Sequence, residues 1–192
     1  MRHIFALLLI IICLTSCNTG KSKQNNEKPV IAVTIEPQRY FTEAIAGDKF
    51  DVISIVPKGS SPETYDPTPQ QLVSLGDSKA YFRIGYIGFE QVWMDRLTDN
   101  TPHIQVFDTS KDVDLIFEEE EIHGDHRHAG GVEPHIWNST GNALIIARNT
   151  YKALCQLDKE NEAYYLARYD SLSQRIIPVS YTHLRAHETC AD

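Results

Sequence analysis

Four short apolar runs, spaced by stretches of helical pattern, constrain this chain more than any other feature. Residues 30–35 and 50–56 are rich in β-branched side chains, and residues 80–84 and 104–107 form shorter runs of the same kind. Phe41, Ala44 and Ile45 fall on one helical face between the first two runs; Phe89, Val92, Trp93 and Leu97 share another face further on. Thr68 followed by Pro69 and by Gln71 is good start chemistry for a helix, because the hydroxyl and the Gln amide can satisfy amides left open in the first turn. Apolar runs of this length, alternating with helices, predict an α/β lobe whose mainly parallel sheet is flanked by helices on both faces.

Beyond the last strand the character changes. Residues 118–121 are four consecutive glutamates, and a Gly- and His-containing loop follows, to Gly131. Leu144, Ala147, Tyr151 and Leu154 then keep one helical face. Asp158 is a plausible cap for a second helix carrying Tyr165, Tyr169, Leu172 and Ile176.

The ends read differently from the body. Residues 4–14 are apolar throughout but too short to span a bilayer, which needs roughly 20 such residues, so they read as a signal-peptide core. Leu14-Thr15-Ser16-Cys17 resembles the bacterial lipobox, which implies export, cleavage and lipid attachment at Cys17. Residues 1–17 are therefore assigned to the lipoprotein signal and 18–29, without Val, Ile, Leu or Phe, to a solvated tether. The lobe is expected over residues 30–157 and a further helix over 158–178. From Val179 the letters Val-Ser-Tyr-Thr-His-Leu-Arg-Ala-His-Glu-Thr break the preceding helical pattern and resemble the translation of a sequencing-library adapter, so residues 179–192 are expected to be foreign to the protein. With Cys17 lipidated, Cys13 in the signal and Cys190 in that tail, Cys155 remains alone, on a packed helix face and without an internal disulfide.

Two short segments carry the chemistry, both where strands give way to loops. One is Gly59-Ser60-Ser61-Pro62-Glu63-Thr64-Tyr65-Asp66-Pro67-Thr68-Pro69; the other is Glu133-Pro134-His135-Ile136-Trp137. Ligands of open α/β sheets bind beyond the carboxyl ends of strands, where such loops gather. Neighbouring prolines stiffen the backbone around Glu63 and His135, and carboxylate and imidazole both suit a divalent first-row metal. The formal charge of −8, from 18 Lys and Arg against 26 Asp and Glu, disfavours nucleic acid and attracts cations.

Taken together, the two segments resemble those of the metal-binding solute receptors of bacterial ABC importers for zinc and manganese. The family's first segment reads close to Gly-x-Ser-Pro-His-x-Tyr-Glu-Pro-Thr-Pro, matched here by Gly59, Pro62, Tyr65, Asp66, Pro67, Thr68 and Pro69; its second reads Asp-Pro-His-Ile-Trp, matched by Pro134, His135, Ile136 and Trp137. The resemblance implies two α/β lobes joined by one long rigid helix, with the metal between them and two ligands from each lobe. On that reading residues 158–178 begin the joining helix, and the second lobe, with a His and an acidic ligand, lies beyond the sequence that matches. His135 carries over as one near-lobe ligand; the other position holds Glu63 where the family usually has His. The expected cargo is Zn2+, with Mn2+ the alternative that the Glu63 oxygen favours. The expected partners are a membrane permease and its ATPase, reached from a lipid anchor on the periplasmic or cell-surface side. Residues 123–128, with His123, Asp125, His126 and His128, resemble the His- and acid-rich loop of zinc-type members and are expected to form an accessory metal loop.

Other classes fit less well. A zinc hydrolase needs an open coordination position and a nearby base, and His-Glu-x-x-His, Gly-x-Ser-x-Gly and a Gly-rich phosphate loop are all absent from the sequence, so no catalysis is expected. A metal-buffering or adhesive lipoprotein is the remaining alternative. His103, Trp93 and Trp137 are read as structural, with Trp137 bracing His135.

Overall fold

A computed structural model describes residues 28–117, 121–123, 126–128 and 131–189, with the backbone alone described for 121–123, 126–128 and 178–189. Cys17 and Asp125 lie outside the described residues. Strands β1 (Val30–Val33), β2 (Asp51–Ser54), β3 (Ala80–Arg83) and β4 (Gln105–Asp108) form one sheet in the order β2-β1-β3-β4, with every pairing parallel. Helices α1 (Glu36–Ala46), α2 (Pro69–Gly76) and α3 (Gly88–Asn100) connect them, as the βαβα pattern requires. β1 and β3 occupy the middle, so their residues are almost wholly buried; edge strand β4 leaves Gln105, Val106 and Asp108 exposed. Two-sided covering, expected for all four runs, therefore fails at β4, where a parallel edge strand lacks an outer neighbour.

The Thr68 start signal is present in full. Thr68 Oγ1 accepts from the Gln71 amide, and Gln71 Oε1 accepts from the Thr68 amide at 2.9 Å. Gln71 also ties the first motif to the sheet, accepting from the Tyr65 hydroxyl at 2.8 Å and donating to the Ile55 carbonyl at 2.8 Å.

Helix α4 (Thr140–Leu157) and the long helix α5 (Glu162–Thr189) pack against each other and against α1. Tyr165 and Leu172 are fully buried, and Tyr151 stacks on Tyr169 with ring centroids 5.3 Å apart. At the end of α1, Gly47 adopts φ 61°, and a side chain there would collide with the Tyr164 hydroxyl at 2.1 Å; Tyr164 in turn donates to Asp48 at 2.8 Å. Cys155 is half-buried against the core, as expected for a packed helix face.

Three expectations change. The second helix starts at Glu162, after a 3-10 turn over Lys159–Asn161, and Asp158 accepts from Asn161 and Tyr165 side chains instead of capping a helix directly. Helical backbone extends through Pro178 and past Val179, where a break was expected, to Thr189. The region expected as an accessory loop contains an antiparallel hairpin, β5 (Glu121–His123) with β6 (His126–His128), in which His123 pairs with His126 and Glu121 with His128. Two residues, one of them glycine, separate these strands in sequence, the commonest spacing for a hairpin.

Helix α3 also turns differently from its apolar pattern. Val92 is 63% exposed, while Glu90 is 2% exposed beside Phe89 and Leu97. The carboxylate belongs inside because two open amides await it there: Ile84 N–H donates to Oε1 at 2.8 Å and Gly85 N–H to Oε2 at 2.7 Å. Thr34 Oγ1 also donates to Glu90, the Tyr81 hydroxyl lies 2.5 Å from Thr34 Oγ1, and Arg83 Nε stands 3.7 Å from Oε2. Burial pushes the Glu90 carboxyl above its ordinary range, opposed by those hydrogen bonds and by Arg83. This network joins the carboxyl ends of β1 and β3, where connections leave the sheet in opposite directions.

Candidate metal centre

Next to that junction opens a cleft of about 200 Å³. Its walls come from the end of β1 and start of α1 (Ile35, Glu36), from the segment after β2 (Val56, Lys58, Ser60) and from His135 with Trp137. A second cleft of about 190 Å³, lined by Asp114, Ile116, Glu133 and Asn142 among others, reaches His135 from the other side. His135 thus stands on the wall between two clefts.

The second motif holds its imidazole by local geometry. Pro134 stiffens the backbone ahead of His135, and a 3-10 turn over Ile136–Asn138 follows. Ile136 is buried and anchors that turn in the core. Glu133 Oε1 accepts from the His135 amide at 3.1 Å and makes a short contact with His135 Nδ1. With the proton on Nδ1 facing that carboxylate, Nε2 carries the free lone pair of the neutral ring. Trp137 meets the ring edge-on, with centroids 5.2 Å apart at 68°, so the expected brace is present.

Glu63 is held by a different element. It is exposed, and its Oε2 accepts from the Gly88 amide at 2.9 Å, at the start of α3. Each of the two ligands expected from sequence therefore has one donor atom tied inside the protein and another left over: Nε2 for His135 and Oε1 for Glu63. Glu63 does not line the cleft that His135 and Glu36 share. Among the described residues, no group of three or more His, Cys, Asp and Glu side chains is gathered closely enough to hold an ion.

Other residues fall as follows. His123, His126 and His128 belong to the β5–β6 hairpin by backbone. His103 Nε2 lies 2.8 Å from the Gly76 carbonyl, joining the end of α2 to the approach of β4, a structural role as expected. Reading by motif missed Glu36, Glu133 and Gly88. Glu133 could have been found from the general habit of ligating histidines, which donate their second N–H to a carboxylate or carbonyl. Glu36 and Gly88 carry no such signal, since only the fold brings them to the site.

Residues 31–181 match the family described as zinc-uptake complex component A, periplasmic. The chain is 31% identical over 169 residues to the manganese ABC transporter substrate-binding lipoprotein PsaA of Streptococcus mitis, covering 84% of this chain and 53% of that one. It is 30% identical over 172 residues to the iron ABC transporter substrate-binding lipoprotein MtsA of Streptococcus pyogenes serotype M1, covering 86% and 54%. Among solved structures, a zinc-bound deletion mutant of ZnuA superposes with a TM-score of 0.71 at 30% identity, covering 81% of this chain and 56% of that one. The chain spans about half the length of the curated relatives it matches.

Proposed function

The chain belongs to the family of periplasmic zinc-uptake component A proteins, and from that premise we propose that it captures a divalent metal ion outside the cytoplasm for delivery to an ABC-type importer. The observation that carries this reading is the Glu133–His135 pair, which holds the ring and leaves Nε2 as a donor beside an open cleft. His135 Nε2 and one Glu63 oxygen are the two donors assigned to this lobe. The chain acts as a binding protein, without a catalytic step, and its partners are a permease and an ATPase in the membrane. Anchoring through Cys17 belongs to the same proposal and is supported by residues 14–17 and by the lipoprotein names of the relatives.

Zinc is the proposed cargo. An imidazole donor and the histidines of the β5–β6 hairpin suit a borderline-soft ion, and the intrinsic affinity order places zinc ahead of manganese. The Glu63 carboxylate and the relatives named for manganese and iron support the competing choice of a harder ion. Competition titration decides between them: zinc is expected to displace manganese at equal concentrations. Tighter binding of manganese would make the chain a manganese receptor, and binding of neither ion would end the proposal.

A further inference from the structure

Glu63 sits on an exposed segment between β2 and α2 that belongs to neither, yet its backbone is pinned. The Phe89 amide donates to the Pro62 carbonyl at 3.0 Å, and the Gly88 amide donates to Glu63 Oε2 at 2.9 Å. Gly88 is not among the glycines of positive φ, so backbone conformation does not explain it. Contact does. A Cβ at position 88 would stand 2.3 Å from the Glu63 carbonyl oxygen, 3.0 Å from its carbonyl carbon and 3.1 Å from its Cα. These are backbone atoms, which cannot swing aside as the end of a side chain can. Behind Gly88, the turn from Ile84 is fastened to the core through buried Glu90, and the Ile87 amide closes on the Gly85 carbonyl at 2.5 Å. An unbroken run of contacts leads from the sheet through Glu90 and this turn to Glu63.

We propose that Gly88 is a positioning residue for metal capture, admitting the Glu63 backbone against the first turn of α3 and fixing its Oε2 so that Oε1 alone faces the ion. The proposal rests on the reading of Glu63 as a ligand. Ligating carboxylates are themselves hydrogen-bonded by surrounding groups, and an amide at a helix N-terminus suits an anionic oxygen. With one oxygen tied, the carboxylate is biased to bind through the other. A methyl group at position 88 pushes residues 62 and 63 outward until the 2.3 Å approach relaxes to an ordinary contact, and the donor oxygen moves with them.

The test is calorimetric zinc titration of the wild type, Gly88→Ala, Glu63→Ala and the double variant, with circular dichroism for folding and NMR hydrogen exchange at the residue 88 amide. Gly88→Ala is expected to weaken zinc binding by about tenfold, the range seen when support of a ligand is lost. When Glu63 is already alanine, the same substitution is expected to change affinity less than about twofold, since coupled residues lose their effect together. Without metal, Glu63→Ala is expected to speed exchange of the Gly88 amide, and Glu63→Gln, which keeps an acceptor oxygen, to restore part of the protection. Equal losses in both backgrounds, or a folded Gly88→Ala chain that binds zinc as the wild type does, would overturn the proposal. Should Gly88→Ala fail to fold, unchanged exchange in Glu63→Ala would overturn it instead. A Glu63→Ala chain with wild-type affinity refutes the ligand reading separately, and the exchange data then decide whether Gly88 holds Glu63 at all.

Discussion

His135→Ala is expected to weaken zinc binding by at least about a hundredfold, or ~2.7 kcal/mol. The size follows from what the ring does. It supplies a nitrogen donor whose position the surrounding residues fix: Glu133 holds Nδ1 and the backbone amide, Trp137 meets the ring edge-on, and buried Ile136 anchors the turn that follows. Removing it deletes the imidazole donor of this lobe, and an exposed carboxylate such as Glu63 holds zinc poorly by itself. Replacing His123, His126 and His128 together is expected to cost less, because His135 sits on a stiff support between Pro134 and the turn over Ile136–Asn138. Glu133→Ala should fall between, at about tenfold, since it frees the ring without deleting the donor. Zinc titration of these variants is the measurement. A triple hairpin variant that lost as much affinity as His135→Ala would make the hairpin the principal site.

The second large effect concerns stability. Glu90→Ala is expected to destabilise the fold by about 3–5 kcal/mol, because it leaves two buried amides unsatisfied, each costing roughly 1–3 kcal/mol, and takes from a buried hydroxyl one of its two partners. Those groups are Ile84 N–H, Gly85 N–H and Thr34 Oγ1, all meeting a carboxylate only 2% exposed. For a domain of this size the loss corresponds to a fall in melting temperature on the order of 10 °C. Glu90→Gln keeps the volume and one acceptor oxygen but turns an NH2 group toward an N–H donor, so an intermediate loss is expected. Thermal unfolding followed by circular dichroism reads both. A Glu90→Ala chain melting within about 2 °C of the wild type would show that the network contributes little, since a loss that small corresponds to under about 1 kcal/mol.

Glu90 also shows where the sequence was opaque. Apolar periodicity places Phe89, Val92, Trp93 and Leu97 on the inner face of α3 and leaves every charge outside, because a glutamate in isolation prefers water. Its burial depends on two amides of a turn that only the folded backbone brings to it, so Val92 turns outward instead. Short-range features were legible. The four strands overlap the predicted runs: β1, β2 and β3 stop short of the predicted carboxyl ends as the chain leaves the sheet, while β4 runs one residue beyond its own, to Asp108. The Thr68–Gln71 capping box is complete in six residues or fewer of sequence and needs nothing from elsewhere. At the centre, His135 and its supporting Glu133 are two residues apart, so the motif contains its own orientation. Glu63 is the opposite case: its partner is Gly88, twenty-five residues on, and no local pattern connects them. Glu36 reaches the His135 cleft only because β1 ends there.

The central claim is that His135 and Glu63 share one metal ion. A crystal of the chain grown with zinc, measured at wavelengths on either side of the zinc absorption edge, tests it directly. The predicted result is one strong anomalous peak bonded to His135 Nε2 at about 2.0–2.1 Å and to a single Glu63 oxygen at about 2.0–2.2 Å, within a roughly tetrahedral shell. A peak held by the β5–β6 hairpin, with His135 and Glu63 free of metal, would contradict it.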